Sequence, residues 1–111
     1  MLLPKLVVVD SNDRRLAQDI QGSRLVLLTF YDIHCPHSMR LFKVIREAAS
    51  RFSGEVKLVR CKLGDCFRSA AYNKVLSTPT ILLIKNGNVT GRSEGELNSA
   101  ELLLLVNSTL R

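Results

Sequence analysis

The stretch RLVLLTFYD, Arg24 to Asp32, is apolar at almost every position and shows no polar alternation. Such a run is the mark of a strand covered on both faces, so the fold must place one layer above it and another below. The segments around it supply those layers. Leu6 to Val9 is a short β-branched run and reads as a first strand. DSNDRRLAQDIQGS then predicts a helix capped by Ser11 or Asn12, with Leu16, Ala17 and Ile20 on its apolar side and Gly22 closing it. After the central run, Met39, Phe42, Ile45, Ala49 and Phe52 fall at steps of three and four, which predicts a long helix from Pro36 to about Phe52. Arg40, Lys43, Arg46 and Glu47 take its polar side.

Beyond that helix, Gly54 marks a turn and GEVKLVRCKL reads as a third strand. CFRSAAYNKV predicts a short helix. PTILLIKNGNVTGRS predicts a hairpin around Asn86-Gly87, with its second run starting at Val89. ELNSAELLLLVNSTLR opens on an Asn98-x-x-Glu101 capping pattern and continues at helix length. Crossovers through helices require parallel pairing among the first three strands, and the tight hairpin requires antiparallel pairing of the last two. The expectation is one α/β domain over residues 1–111, with a central mixed sheet of about five strands and about four helices on both faces.

The length is ample for a single core. At 46% hydrophobic and 23% charged residues, the chain belongs with ordinary globular domains. Its longest apolar runs, such as LLLLV, are far short of the roughly 20 residues a membrane-spanning helix needs. The opening MLLPKLVVVDSNDRR lacks the basic n-region and small-residue cleavage site of a signal peptide, so a cytoplasmic, non-membrane protein is expected. Three cysteines are too few and odd in number for a disulfide scaffold. The formal net charge of +6 comes from scattered residues such as Arg14, Lys57 and Arg68. Aromatics that would stack bases are scarce, so the charge reads as a solvated surface or a face for an acidic protein partner, and nucleic acid is not expected.

The chemistry concentrates in HCPHS, His34 to Ser38, at the start of the long helix. A thiolate is the nucleophile in disulfide chemistry. Cys35 at a helix N-terminus meets unpaired N–H groups and the positive end of the helix dipole, and both favour the anion. An imidazole from His34 or His37 would add a hydrogen bond or a charge. Pro36 suits the first turn, where its missing N–H costs nothing. Ser38 stands where a second cysteine would complete a Cys-x-x-Cys pair. His34, Cys35 and His37 cannot easily converge on zinc and have no fourth ligand, so no metal is expected. Cys61 and Cys66 read as buried thiols, with a disulfide between them as the alternative.

This order of elements, a cysteine after the second strand and STPTILLIKNG before the last hairpin resemble the thioredoxin family over essentially the whole chain. Against that family's Phe-Trp-Ala-x-Trp-Cys-Gly-Pro-Cys stretch the sequence reads Phe30, Tyr31, Asp32, Ile33, His34, Cys35, Pro36, His37, Ser38. Thr78, Pro79 and Thr80 match its Ile-Pro-Thr segment, and Lys85, Asn86 and Gly87 match its Lys-Asn-Gly turn. Cys-Pro-His-Ser is also similar to the Cys-Pro-His-Cys of DsbA-type oxidases with the second thiol lost.

The resemblance implies a thiol–disulfide oxidoreductase with Cys35 as attacking thiolate and His37 and Ser38 beside it. It further implies a substrate wall of His34, Pro36, Thr78 and Pro79, with Pro79 in cis and the backbone of Thr78 pairing with an extended substrate. Two departures stand out. Thioredoxins bury an aspartate six residues before the first cysteine, where this chain has Thr29. They also resolve the mixed disulfide with a second thiol, which Ser38 lacks. Ser38 therefore marks either a natural monothiol protein, dependent on glutathione or another thiol, or a replacement of the resolving cysteine. A redox-inactive interaction protein on the same fold is the alternative. The expected partners are cysteine-bearing proteins, with glutathione or a reductase as electron source, acting on a monomer without a cofactor.

Overall fold

The computed structural model describes residues 5–111. The reading of the opening segment as leader-free involves residues 1–4, which lie outside the described residues. The chain runs β1 (Leu6–Asp10), α1 (Leu16–Asp19), β2 (Leu25–Tyr31), α2 (Pro36–Ala48), β3 (Val56–Lys62), α3 (Phe67–Tyr72), β4 (Thr80–Lys85), β5 (Asn88–Glu94) and α4 (Ser99–Leu110). The five strands form one sheet in the order β1-β3-β2-β4-β5. β1, β3 and β2 pair in parallel, whereas β4 runs antiparallel to both β2 and β5. This is the α/β architecture expected of the crossovers and the hairpin.

All seven residues of β2 are buried, as its unbroken apolar run predicts. Alternate side chains enter different layers. Leu25, Leu27 and Tyr31 pack with Leu41, Phe42 and Ile45 of α2 and Leu102, Val106 and Leu110 of α4. Val26, Leu28 and Phe30 pack with Leu16 of α1, Ala70 of α3, Cys61 and Cys66 on the other side. The hairpin turns at Asn86 and Gly87, whose φ values of 54° and 79° are the pair of positive angles that a type I′ turn demands. α4 begins with the capping box visible in the sequence: Glu101 N–H donates to Asn98 Oδ1 at 2.8 Å and Asn98 N–H donates to Glu101 Oε1 at 3.0 Å. No helix of the described residues is long and apolar enough to cross a membrane.

Three local expectations are corrected. α2 ends at Ala48 and a 3₁₀ turn over Ala49–Arg51 completes the segment, so the regular helix is shorter than the apolar spacing suggests. Its buried face is Ser38, Leu41, Phe42, Ile45 and Ala48, while Met39 is exposed. Burial of the short Ser38 side chain rotates the next position outward. α1 is a single turn whose Ala17 is exposed and whose Asp19 is buried. Neither Ser11 nor Asn12 is its N-cap, which is Arg15 without a side-chain cap; Asn12 Oδ1 instead closes the turn before the helix, accepting from the N–H groups of Arg14 and Arg15 at 3.0 Å each.

α3 receives its cap from far away in the chain. Asp13 accepts from Arg68 N–H at 3.0 Å, Ser69 N–H at 2.8 Å and the Ser69 hydroxyl at 2.6 Å. These bonds, the Ser69 hydroxyl first, hold the Asp13 carboxyl below its ordinary value of 3.8. Asp13→Ala is expected to cost about 1 kcal/mol in urea denaturation, the usual loss for a missing helix cap. A folded-state pKa below the unfolded one contributes stability that is present above the unfolded value and lost as pH falls through the folded one. The gap between wild type and variant should therefore narrow in acid.

Cys61 and Cys66 are fully buried and unpaired. Burial pushes both thiols up, away from the reactive thiolate. Cys66 Sγ lies 3.6 Å from the carbonyl oxygen of Ser11 and donates to it. A water-soluble maleimide is expected to modify Cys35 alone in the native protein and all three cysteines in denaturant. Native modification of Cys61 or Cys66 would show that the layer packed on α1 and α3 opens.

Candidate functional site

β2 delivers the chain to the surface at Tyr31, and Asp32 shapes the turn that follows. Its Oδ1 accepts from His34 N–H at 2.9 Å and its carbonyl oxygen accepts from Cys35 N–H at 3.0 Å. Its own N–H donates to the Ser38 hydroxyl at 3.4 Å. Cys35 is the N-cap of α2, in extended conformation at φ −99° and ψ 111°, and Pro36 opens the helix. Cys35 is half-buried, Ser38 is fully buried beneath it, and His34, Pro36 and His37 are exposed.

The thiol of Cys35 is brought down from 9.0 to about 7. The backbone N–H of Ser38 is the largest cause, followed by the Thr78 side chain, the Ser38 hydroxyl and the backbone N–H of His37. Three of these donors belong to the first turn of α2, where Ser38 N–H also reaches the Cys35 carbonyl oxygen at 3.1 Å, and Thr78 faces them from the segment before β4. Desolvation works against them and loses. When protonated, Sγ instead donates to the carbonyl oxygen of Thr78 at 3.6 Å. The sulfur therefore has partners in both protonation states.

Thr78 and Pro79 form the facing wall, and the peptide bond between them is cis. Strand register brings the two segments together, because Phe30 near the end of β2 pairs with Thr80 at the start of β4. Gly95 extends the wall: its N–H donates to the Pro79 carbonyl oxygen at 2.8 Å, with φ at +87°, a conformation that favours glycine. Beside Thr78, a shallow hollow is lined by Leu63, Val75, Leu76 and Ser77, with Leu76 almost fully exposed.

Glu96, next in the chain, reaches across to α2. Its Oε1 accepts from Arg40 Nε at 2.6 Å, and its Oε2 lies 2.5 Å from His37 Nδ1 and 3.3 Å from Arg40 Nη2. Arg40, and His37 after it, hold the Glu96 carboxyl down at about 2. The Glu96 hydrogen bond above all, and the nearby Cys35 thiolate to a smaller degree, favour the charged form of Arg40.

Of the two routes the sequence offered an imidazole, a hydrogen bond to the sulfur or a charge near it, the hydrogen bond is not formed. Among the described residues no hydrogen bond joins His34 or His37 side chains to Cys35, and the His37 ring is turned to Glu96. His37 acts on the sulfur through its backbone N–H instead. Sequence reasoning assigned Arg40 only to the polar side of the helix and passed over Glu96. Arg40 shares a helix face with His37, three residues earlier, which is a readable signal. Glu96 lies 56 residues beyond Arg40 and carries none.

The position of the family's buried aspartate holds Thr29, fully buried on the α2 side of β2, with no hydrogen-bond partner for its hydroxyl among the described residues. Two hydroxyls, Thr29 and Ser38, thus lie buried along the path where an acid and a thiol would serve resolution. The arrangement supports attack by one sulfur and provides no second one.

Comparison with known proteins agrees with this geometry. The family model described as Thioredoxin matches residues 7–108. The thioredoxin of Haemophilus influenzae is 35% identical over 101 residues, covering 90% of this chain and 94% of that protein. Thioredoxin C-2 of Corynebacterium nephridii is 21% identical over 104 residues, covering 93% and 96%. Thioredoxin 2 of Chlorobaculum tepidum is 27% identical over 81 residues, covering 73% and 74%. With the fold, the cysteine-bearing helix start and the Thr78–Pro79 wall in place, these matches show that the chain belongs to the thioredoxin family.

Proposed function

We propose that this protein is a monothiol thiol–disulfide oxidoreductase that acts on cysteine-bearing proteins through Cys35. The observation that carries the reading is a half-buried thiol at the N-terminus of α2, lowered to about 7 by N–H and hydroxyl donors and facing the Thr78–Pro79 wall. At that value about half of the thiol is ionised at neutral pH, close to the optimum for an attacking sulfur.

The thiolate attacks one sulfur of a substrate disulfide. A new S–S bond forms as the old one breaks, Cys35 is oxidised into the mixed disulfide, and the leaving sulfur departs reduced and takes up a proton. Thr78 offers backbone groups to an extended substrate segment. His34 and Pro36, exposed on the rim, are contact surface, and the hollow beside Thr78 accepts an apolar side chain. The Ser38 hydroxyl steadies the thiolate but cannot displace the substrate, because an alcohol is not a nucleophile for this exchange. A second thiol, such as glutathione in a cytoplasmic setting, completes the cycle. No cofactor enters these steps, and the formal charge of +6 favours partners with acidic surfaces.

The adaptor reading draws on the same two hydroxyls, Thr29 and Ser38, because both remove parts of the usual turnover. One set of variants separates the two readings. Wild type should accumulate a stoichiometric mixed disulfide that glutathione releases, and Cys35→Ala should form none. Ser38→Cys should gain catalytic insulin reduction. Full partner binding by Cys35→Ala, with no exchange by wild type, would favour the adaptor.

A further inference from the structure

The Arg40–His37 pair holds a carboxylate at the mouth of the site, and that carboxylate is the chain's own Glu96. The geometry is that of a carboxylate receptor. Arg40 presents Nε and Nη2 to different oxygens of one carboxyl group, the forked arrangement guanidinium favours. His37 Nδ1 meets the second oxygen and also lies 2.9 Å from Arg40 Nη2. One ring nitrogen cannot donate to Glu96 and accept from Arg40 at once. The ring therefore serves Glu96 or Arg40 in any one tautomer and not both, so the bridge has no single fixed arrangement. It sits in solvent, with side-chain exposures of 59%, 56% and 36% for His37, Arg40 and Glu96. Ion pairs this exposed are weak and exchange readily.

We propose that Arg40 and His37 form a subsite for a carboxylate carried beside the sulfur of the substrate, and that Glu96 occupies it as an internal stand-in until such a substrate displaces it. The inference rests on Cys35 as the attacking thiolate. Glu96 is suited to this part because Gly95, bonded to Pro79, fixes the start of its loop on the substrate wall while its side chain spans to α2. A substrate segment lying along Thr78 and Pro79 meets that bridge. An acidic substrate replaces one carboxylate with another, whereas a neutral one must break the bridge or pass around it. In the exchange step Cys35 thiolate bonds to the substrate sulfur, the substrate S–S bond breaks, and the departing thiolate is protonated; the subsite only orients the disulfide.

The test compares rates of Cys35 with a bis-nitrobenzoate disulfide, which is anionic, and with neutral dithiodipyridine, in wild type, Glu96→Gln and Glu96→Gln/Arg40→Met. Glu96→Gln should raise the anionic-to-neutral rate ratio about threefold, the size expected of one exposed charge pair. Adding Arg40→Met should cancel that gain, and high salt should shrink it. Mixed disulfides of cysteinyl peptides with Glu or Gln beside the cysteine extend the comparison. A ratio that changes with peptides as well assigns the subsite to protein substrates, and one confined to the small disulfide assigns it to low-molecular-weight thiols. An unchanged ratio with normal dithiodipyridine rates would overturn the subsite and leave the exchange reading intact. A Cys35 that ignores dithiodipyridine would sink the exchange reading. The subsite then still answers to a titration of Glu96→Gln with glutarate, followed at the Arg40 Nε–H resonance: a saturable shift supports it and a flat response rejects it.

Discussion

Everything at the site depends on how β2 is held. Its seven buried residues are fixed by β3 on one side, β4 on the other and a helical layer on each face. The pairing of Phe30 with Thr80 sets where the chain leaves the sheet, and so sets Cys35 opposite Thr78 and Pro79. A slip of one residue in that register would turn every apolar side chain of β2 to the other layer. The site thus inherits its precision from the core, although it lies where the chain leaves β2 and enters β4, at the end of the central strands.

The sulfur is activated by backbone and side chains together. Ser38 N–H is the largest single cause, and the Thr78 side chain, the Ser38 hydroxyl and His37 N–H add to it. Side chains then decide what the thiolate can complete. Ser38 places a buried hydroxyl where resolution needs sulfur, and Thr29 places another where the family has a carboxylate. In a dithiol cycle both positions belong to the second half, the release of the mixed disulfide. Under the proposed exchange reading, a mixed disulfide on Cys35 needs another thiol to open it.

Legibility followed the range of the interactions involved. β2, the Asn86-Gly87 turn and the Asn98–Glu101 capping box were readable because each is decided within a few residues. Cys35 was readable as a site because a thiol, a proline and a helix start coincide in one short stretch. Met39 was misplaced because helical spacing alone allows more than one face, and only packing on Tyr31 and its neighbours selects the face of Leu41, Phe42 and Ile45. The Asp13 cap on α3 and the Glu96 bridge to Arg40 join segments more than fifty residues apart, so no local pattern announces them. His37 shows the limit most clearly: its motif suggested a hydrogen bond or a charge beside the sulfur, and a distant glutamate meets the ring nitrogen.

The central claim is that donors at the start of α2 hold Cys35 as a thiolate near neutral pH. The most direct measurement is the rate of Cys35 alkylation by iodoacetamide as a function of pH, with Cys61 and Cys66 replaced by alanine. The account predicts a midpoint near pH 7, in line with a thiol lowered to about 7 from its ordinary 9.0. A midpoint near pH 9.0, the value of an unactivated thiol, would contradict it.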